Sequence, residues 1–217
     1  TLRFKVGERV TLQPGLRIDY QNVSNTRSRS QLSPRLSVLY DATPALQLRF
    51  SFGDFHQPQA VYEIAPVDGE SALLNVQRAR HWITGLTFAP GDRYRFVVEA
   101  FHKQMRRTNR RHVNLFNPHM LIPELEPDRV AVEANRAVAS GIELSVTRLR
   151  GEGIWSWTGN YTSGRTRDRV DARWIPRRFD QQHTVNLIST WEGGRWTFSV
   201  AGAWHSGWAL TKLPGVL

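Results

Sequence analysis

The chain is built from segments in which apolar and polar residues alternate one by one. In the segment 154–162, IWSWTGNYT, aromatic residues recur on alternate positions, with Ser, Thr and Asn between them. The segment 195–205, RWTFSVAGAWH, repeats this pattern. Successive side chains of a β-strand point to opposite faces, so the alternation predicts strands with one apolar and one polar face. Many such strands in succession, with aromatic residues on the apolar side, predict a barrel whose outside contacts lipid.

The alternation predicts about ten strands, which are joined in turn by short and by long connections. The expected strands are 2–6, 9–22, 32–42, 45–55, 78–89, 93–106, a seventh that includes 142–147, 154–164, 179–191 and 195–206. The expected long connections are 23–31, 56–77, 107–139 and 165–178. Short turns on one side and long loops on the other are typical of outer-membrane barrels. The predicted fold class is therefore all-β, an antiparallel up-and-down meander of a transmembrane barrel.

Composition narrows the classes of protein that remain. The 217 residues include no cysteine, which excludes a disulfide framework and a thiolate metal site. No run approaches eighteen apolar residues, so the sequence predicts no transmembrane helix. The formal net charge of +10 fits a solvated surface, a nucleic-acid partner or an anionic surface such as lipopolysaccharide phosphate.

The densest basic run is KQMRRTNRRH, residues 103–112. It is either a solvated strand end or a site for lipid phosphates or an anionic ligand, because guanidinium pairs with phosphate through two hydrogen bonds. RNA binding would favour aromatic residues among the basic ones, and this run has none, so no nucleic-acid partner is predicted. The candidate ligand- or lipopolysaccharide-binding residues are Arg106, Arg107, Arg110, Arg111, His112 and His56.

The tryptophans have two interpretations. In a soluble protein they would form the core, whereas in a membrane barrel they would lie at the interfacial girdles or face lipid, with the indole N–H near water. Trp191 and Trp196 flank one tight turn, which favours the girdle. The predicted girdle and lipid-face residues are Trp82, Trp155, Trp157, Trp191, Trp196 and Trp204.

Catalytic and metal sites are not predicted. His102, His112 and His119 lie in or beside one predicted long connection, but no pair has the close spacing of metal ligands. Ser, His and Asp are all present, yet none lies in a nucleophile motif such as G-x-S-x-G. We therefore predict no enzyme activity, no metal site and no cofactor.

Four segments resemble, in the same order, strands of TonB-dependent outer-membrane receptors. They are TLQPGLRIDY at 11–20, SPRLSVLYDATPALQLRFSFGDFHQPQ at 33–59, ASGIELSVTR at 139–148 and IPRRFDQQHTVNL at 175–187. The resemblance implies a barrel of 22 strands with an N-terminal plug, which imports a scarce ligand with energy relayed by TonB. That ligand would be a siderophore–iron complex, cobalamin, a carbohydrate or a similar molecule.

The sequence departs from such a complete receptor. It contains no TonB box, no plug and no terminal strand that ends in an aromatic residue, and ten strands cannot close a barrel of that size. We therefore expect residues 1–217 to be a partial barrel domain that lacks the plug and the final strands. The expected partners are outer-membrane lipid or lipopolysaccharide, a small-molecule ligand, and the TonB complex through an N-terminal region outside this sequence.

Two alternatives stay open at this point. One is a different outer-membrane barrel with a passive or secretory role. The other is a soluble, carbohydrate-binding β-sandwich that uses exposed tryptophans to stack on sugars. A soluble sandwich would pack its apolar faces against each other, whereas a membrane barrel would leave one apolar face uncovered by protein.

Overall fold

The computed structural model describes residues 2–23, 26–59, 76–114, 116–117, 120, 122–178 and 180–208. Within them, one 3₁₀ turn spans Pro123–Leu125, and no helix is long and apolar enough to span a bilayer. The strands are β1 (Phe4–Val6), β2 (Val10–Val23), β3 (Thr26–Thr43), β4 (Leu46–Gln57), β5 (Gln77–Phe88), β6 (Tyr94–Arg106), β7 (Arg111–Asn114), β8 (Arg129–Val132), β9 (Arg136–Arg148), β10 (Trp155–Val170), β11 (Arg173–Pro176), β12 (His183–Gly193) and β13 (Trp196–His205).

The strands form one antiparallel meander. Its hydrogen-bonded order is β1-β2-β3-β4-β5-β6-β9-β10-β12-β13, and β11 joins the same sheet by pairing with β10. The short strands β7 and β8 pair only with each other and lie in the connection between β6 and β9. The predicted up-and-down meander is thus confirmed, with ten strands along its main path.

The two ends of the sheet differ in their connections. Tight turns join β1 to β2, β3 to β4, β5 to β6, β9 to β10 and β12 to β13. Four of them contain a glycine in the left-handed region, for example Gly91 (φ 74°) and Gly194 (φ 59°), which glycine adopts without steric cost. We call the end of the sheet that carries these tight turns the short-turn end, and the opposite end the long-connection end.

Two expected loops at the long-connection end are strands. The polar stretch 23–31 was expected to be a loop, but β3 begins at Thr26 and pairs with β2 along this stretch. The basic segment 165–178 was also expected to be a loop, but β10 runs on to Val170 and turns back into β11. Both turn residues, Asp171 and Ala172, have positive φ, as in the two-residue turns that join twisted strands.

The expected loop 107–139 also contains regular structure. It includes β7, β8 and the first residues of β9, which begins at Arg136. The sequence reasoning missed all three extensions for one physical reason. A strand that extends past the apolar part of a sheet is polar on both faces, so the alternation that reveals strands is lost.

The strand register gives the sheet two chemically different faces. Directly opposed residues of antiparallel neighbours lie on the same face of a sheet. One row across the sheet reads Tyr40, Leu48, Leu86, Val98, Leu144, Tyr161, Val185 and Trp204. The row beside it lies on the other face and reads Leu39, Arg49, Gly85, Glu99, Glu143, Thr162, Thr184 and His205. We call these the apolar face and the polar face.

No other part of the described chain covers the apolar face. Val200 is 71% exposed and Trp204 is 59% exposed. Among the described residues, the only buried hydrophobic side chains are those of Ala134 and Ala137. A soluble sandwich would bury its large apolar side chains between two sheets. The described sheet has no such core, and its exposed apolar face is what a lipid-facing barrel wall requires.

Replacing an apolar-face residue by arginine should impair assembly far more than the same change on the polar face. Leu144 lies in the middle of the apolar row, between Val98 and Tyr161. We expect Leu144→Arg to cost about 2–4 kcal/mol, because arginine near the bilayer midplane loses its hydration. The neighbouring Ser145→Arg places the same side chain on the polar face and should be tolerated. Heat-modifiable gel mobility of the full-length variants measures the assembled fraction, and equal fractions would contradict the assignment of the faces.

Candidate functional site

The hairpin of β7 and β8 turns toward the polar face at the long-connection end. The bend begins at Arg107, whose φ is 56° and whose backbone N–H donates to the carbonyl of Asn135 at 3.0 Å. Arg111 in β7 then pairs with Asp168 of β10. Asp168 lies opposite Ala137, on the polar face by register. The hairpin is therefore attached to the face that would line a barrel interior.

Asp168 is the anchor of this arrangement. Its side chain is fully buried, and Arg177 donates from Nη2 to its Oδ1 at 2.8 Å. Arg111 supplies a second guanidinium on Oδ2. Burial lowers the pKa of Arg111, while the charge of Asp168 acts in the opposite direction. A buried carboxylate costs several kcal/mol unless it is paired, so the two partly buried arginines compensate the buried aspartate.

Further contacts fix the rest of the insertion. Arg110 donates to Glu133 at 2.6 Å, and Asn114 donates to Asp128 at 2.8 Å. Arg178, which follows β11, donates to the carbonyl of Met120. The insertion is therefore held by contacts within itself and by the contact with Arg178, which follows β11.

A small cavity lies beside this anchored hairpin. It has a volume of about 220 Å³, and its lining includes Phe101, Thr162, Arg177, Arg178 and Asp180. Asp180 accepts a hydrogen bond from the backbone N–H of Thr166 at 2.8 Å. Ligand pockets usually measure about 300–1,000 Å³, so this cavity is of the size of a subsite. Its three arginines (Arg165, Arg177 and Arg178) and one carboxylate suit a polar or charged portion of a ligand.

An ion pair bridges three strands on the polar face. Arg49 of β4 pairs with Glu99 of β6 across β5, where Gly85 lies between them. A Cβ atom at Gly85 would lie 3.1 Å from Oε1 of Glu99, so the missing side chain leaves room for this contact. Glu143 is the residue directly opposite Glu99, so it borders this ion pair.

The predicted anion-binding residues do not form one cluster. Arg106 ends β6 and lies on the apolar face, and Arg107 makes the bend. Arg110 pairs with Glu133 inside the insertion, whereas Arg111 pairs with Asp168 of β10. His112 lies in β7 opposite Ala131. His56 lies on another strand, where its Nδ1 is 2.9 Å from the hydroxyl oxygen of Ser33. The anion-binding role of these residues stays a prediction, and the structure does not place all of them on one face.

All six predicted girdle tryptophans lie on the apolar face. Trp155 and Trp191 are directly opposed near the short-turn end, and the indole N–H of Trp155 donates to Ser189 Oγ at 2.7 Å. Trp196 lies beside the tight turn, and Trp157 lies two residues along β10 from Trp155. The other two, Trp82 and Trp204, lie nearer the long-connection end. This distribution suits girdles at both interfaces, which stays a prediction.

The anchor of the hairpin was not predicted from the sequence, and some of the predicted residues lie outside the described part of the chain. Asp168 was not predicted as an anchor; the only sequence signal was an aspartate enclosed by arginines, RTRDRV. Among the described residues, no three His, Asp or Glu side chains are grouped as a metal site would need. His119 and most of the predicted loop 56–77 lie outside the described residues.

The comparisons with known proteins agree with this geometry. The family model "TonB dependent receptor-like, beta-barrel" matches residues 1–212. The chain belongs to this family. No curated protein matches the chain by sequence. Proteins of this family lie in the bacterial outer membrane, so the apolar face of the sheet contacts lipid and the polar face lines the barrel interior.

Solved structures of outer-membrane receptors share the fold. FpvA of Pseudomonas aeruginosa, bound to heterologous pyoverdines, is 18% identical with a TM-score of 0.65, over 94% of this chain and 27% of that chain. The alcaligin receptor FauA of Bordetella pertussis is 19% identical with a TM-score of 0.61, over 94% and 36%. The copper transporter OprC is 15% identical with a TM-score of 0.67, over 90% and 32%.

The chain therefore spans about a third of the length of these structures. In bacterial outer-membrane barrels the short turns are periplasmic and the long loops are extracellular. By this rule the anchored hairpin and its cavity lie at the extracellular mouth of the barrel.

Removing the charge of Asp168 should loosen the hairpin. We expect Asp168→Asn to leave Arg111 and Arg177 without their shared carboxylate, at a cost of about 3 kcal/mol. Trypsin added to intact cells should then cut at Arg110 or Arg111 faster than in the parent protein, as measured by mass spectrometry of the fragments. Asp171→Asn, in the exposed turn between β10 and β11, is the matched control. Equal cleavage rates in both variants would show that Asp168 does not hold the hairpin.

Proposed function

We propose that the chain is part of a receptor that takes up a small ligand across the outer membrane, with energy relayed by TonB. The family match over residues 1–212 supports a receptor barrel. The observation that carries the proposal is the insertion between β6 and β9, which Asp168 anchors to the interior face at the extracellular end. A fixed hairpin at this position suits a wall of the ligand entrance.

The ligand would contact the interior face beside this hairpin. Arg178 and Asp180 line the cavity there, together with Phe101 and the backbone of β10. Such a mixture of an aromatic ring, a cation and an acceptor suits a polar organic ligand or a metal chelate. The structural neighbours include a pyoverdine receptor, an alcaligin receptor and a copper transporter. We therefore propose a ferric siderophore as the first class to test, ahead of cobalamin and carbohydrate.

The remaining parts of the receptor are proposed to lie outside these 217 residues. An open sheet has two unpaired edges, and a lipid-exposed edge is not tolerated in a bilayer, so further strands must close the barrel. The plug, and the segment that contacts TonB, would belong to the same full-length protein. Binding and transport require no catalytic group in this region, and we propose none.

Energy dependence separates this function from that of a passive barrel. We expect cells that express the full-length protein, and lack other siderophore receptors, to accumulate ⁵⁵Fe supplied as a panel of ferric siderophores. Deleting the tonB gene or adding a protonophore should abolish the accumulation. Uptake that continues without TonB would favour the passive alternative. Failure of every chelate, with ⁶⁴Cu²⁺ accumulated instead, would replace the proposed ligand class with a metal ion.

A further inference from the structure

We propose that the extracellular margin of the apolar face carries a binding site for the phosphates of lipopolysaccharide. The site consists of outward-facing arginines on four neighbouring strands, β5, β6, β9 and β10, just beyond the apolar rows. We call it the arginine patch; its members are Arg78, Arg80, Arg106, Arg136, Arg165, Arg167 and Arg169.

The register brings these arginines together. Four of them form one unbroken row across the sheet, in which Arg78 opposes Arg106, Arg106 opposes Arg136, and Arg136 opposes Arg169. Neighbouring strands are about 4.8 Å apart, so four strands place the four guanidinium stems within about 15 Å. The next row toward the bilayer contains Arg80 and Arg167, and the row below that contains Arg165.

The face of the patch is fixed by the apolar residues on the same strands. Side chains separated by an even number of positions along an uninterrupted strand share a face. Arg80 is two residues from Trp82, Arg106 is ten residues from Phe96, and Arg136 is six residues from Ile142. The cation–π contacts agree, because the guanidinium carbon of Arg80 lies 5.6 Å from the ring centre of Phe52 and 5.9 Å from that of Trp82. These arginines therefore point toward the surrounding membrane.

Among the described residues, carboxylates do not neutralise the patch. Asp54 is the one described carboxylate that pairs with its arginines, and it is already shared between Arg78 at 2.6 Å and Arg80 at 2.9 Å. Arg106, Arg136, Arg165 and Arg167 are exposed, and within the described chain none of them makes an ion pair. A further carboxylate nearby, Asp168, lies on the opposite face and binds Arg111 and Arg177. Seven like charges on one side of a sheet repel one another, so an anionic partner would stabilise this surface.

A groove beside the patch suits the hydrocarbon part of the same partner. It has a volume of about 580 Å³, and it is lined by the outward-facing Val138, Ser140, Ile142, Ser163, Arg165 and Arg167 and, from the interior side, by Phe101, Gly141 and Gly164. The serines are small, Val138 lies level with Arg167, and Ile142 supplies apolar surface one row below Arg165. This is the order of groups that a phosphorylated lipid presents, with phosphate above and acyl chain below.

The position of the patch selects lipopolysaccharide among the phosphorylated lipids. The patch lies at the long-connection end, which is extracellular in outer-membrane barrels. The lipid of that leaflet is lipopolysaccharide, whose lipid A carries phosphates at the level of the interface. Guanidinium groups bind phosphate oxygens through paired hydrogen bonds that are about twice as strong as neutral ones. The inference rests on the orientation of the sheet and does not require the proposed uptake function.

The test compares two sets of three arginines in the full-length protein. The patch variant is Arg106→Gln/Arg136→Gln/Arg167→Gln, which removes exposed arginines that lack ion pairs. The control is Arg9→Gln/Arg93→Gln/Arg95→Gln, which removes the same charge at the short-turn end, where all three are exposed. Binding of bisphosphorylated lipid A to each purified protein in detergent is measured by native mass spectrometry and by titration.

We expect the patch variant to bind lipid A at least about tenfold more weakly than the parent, which corresponds to about 1.4 kcal/mol, and the control to be unchanged. Dephosphorylated lipid A should bind the parent as weakly as bisphosphorylated lipid A binds the patch variant. Equal binding by the patch variant and the control would overturn the proposal. Equal binding of phosphatidylglycerol vesicles, or displacement of lipid A by millimolar inorganic phosphate, would overturn the choice of lipopolysaccharide.

Two controls keep the result interpretable. Heat-modifiable mobility confirms that each variant is assembled, and Arg136→Gln alone replaces the triple variant if that variant fails to fold. We expect ⁵⁵Fe uptake by the patch variant to match that of the parent. Loss of lipid binding with retained uptake would support the patch, whereas absent uptake in the parent would contradict only the proposed transport function.

Discussion

Cross-strand hydrogen bonding is the interaction on which this structure depends. The described sheet has almost no buried apolar core, so packing cannot fix the strands. Within a bilayer each backbone N–H and C=O must find a partner, and the antiparallel ladder supplies it. A slip of one residue would exchange the two faces, moving Leu144 to the interior and Glu143 into hydrocarbon. The register is therefore held both by the ladder and by the cost of placing charges in lipid.

The strands were predicted correctly from the sequence where one face of the sheet contacts lipid and the other contacts water. Residues such as Ile18 and Phe50 alternate with polar neighbours, and the strands that contain them were predicted to within one or two residues. The prediction failed where both faces meet water. The extension of β10 through Arg165 and Arg169 is as polar as a loop, and only its pairing with β9 and β11 reveals a strand. Local alternation cannot report a pairing between distant segments.

The candidate site was harder to predict than the fold, because its contacts join positions that are far apart. Arg111 and Asp168 are separated by 57 residues and meet only because the chain bends at Arg107. The basic run 103–112 reads as one cluster in the sequence. In the structure it crosses the end of β6, so Arg106 stays on the outer face while Arg111 enters the interior with the hairpin.

Arginine therefore has two roles in this chain, and the face of the sheet on which it lies decides between them. On the interior side, Arg177 and Arg111 share a buried aspartate, and their charge is used to fix the chain. On the outer side, Arg136 and Arg167 are exposed and pair with no carboxylate in the described part of the chain. A net charge of +10 cannot distinguish these cases, because composition contains no information about facing. The strand register does distinguish them. It assigns Arg111 and Arg177 to the internal anchor, and Arg136 and Arg167 to an outward surface that is complementary to a phosphorylated lipid.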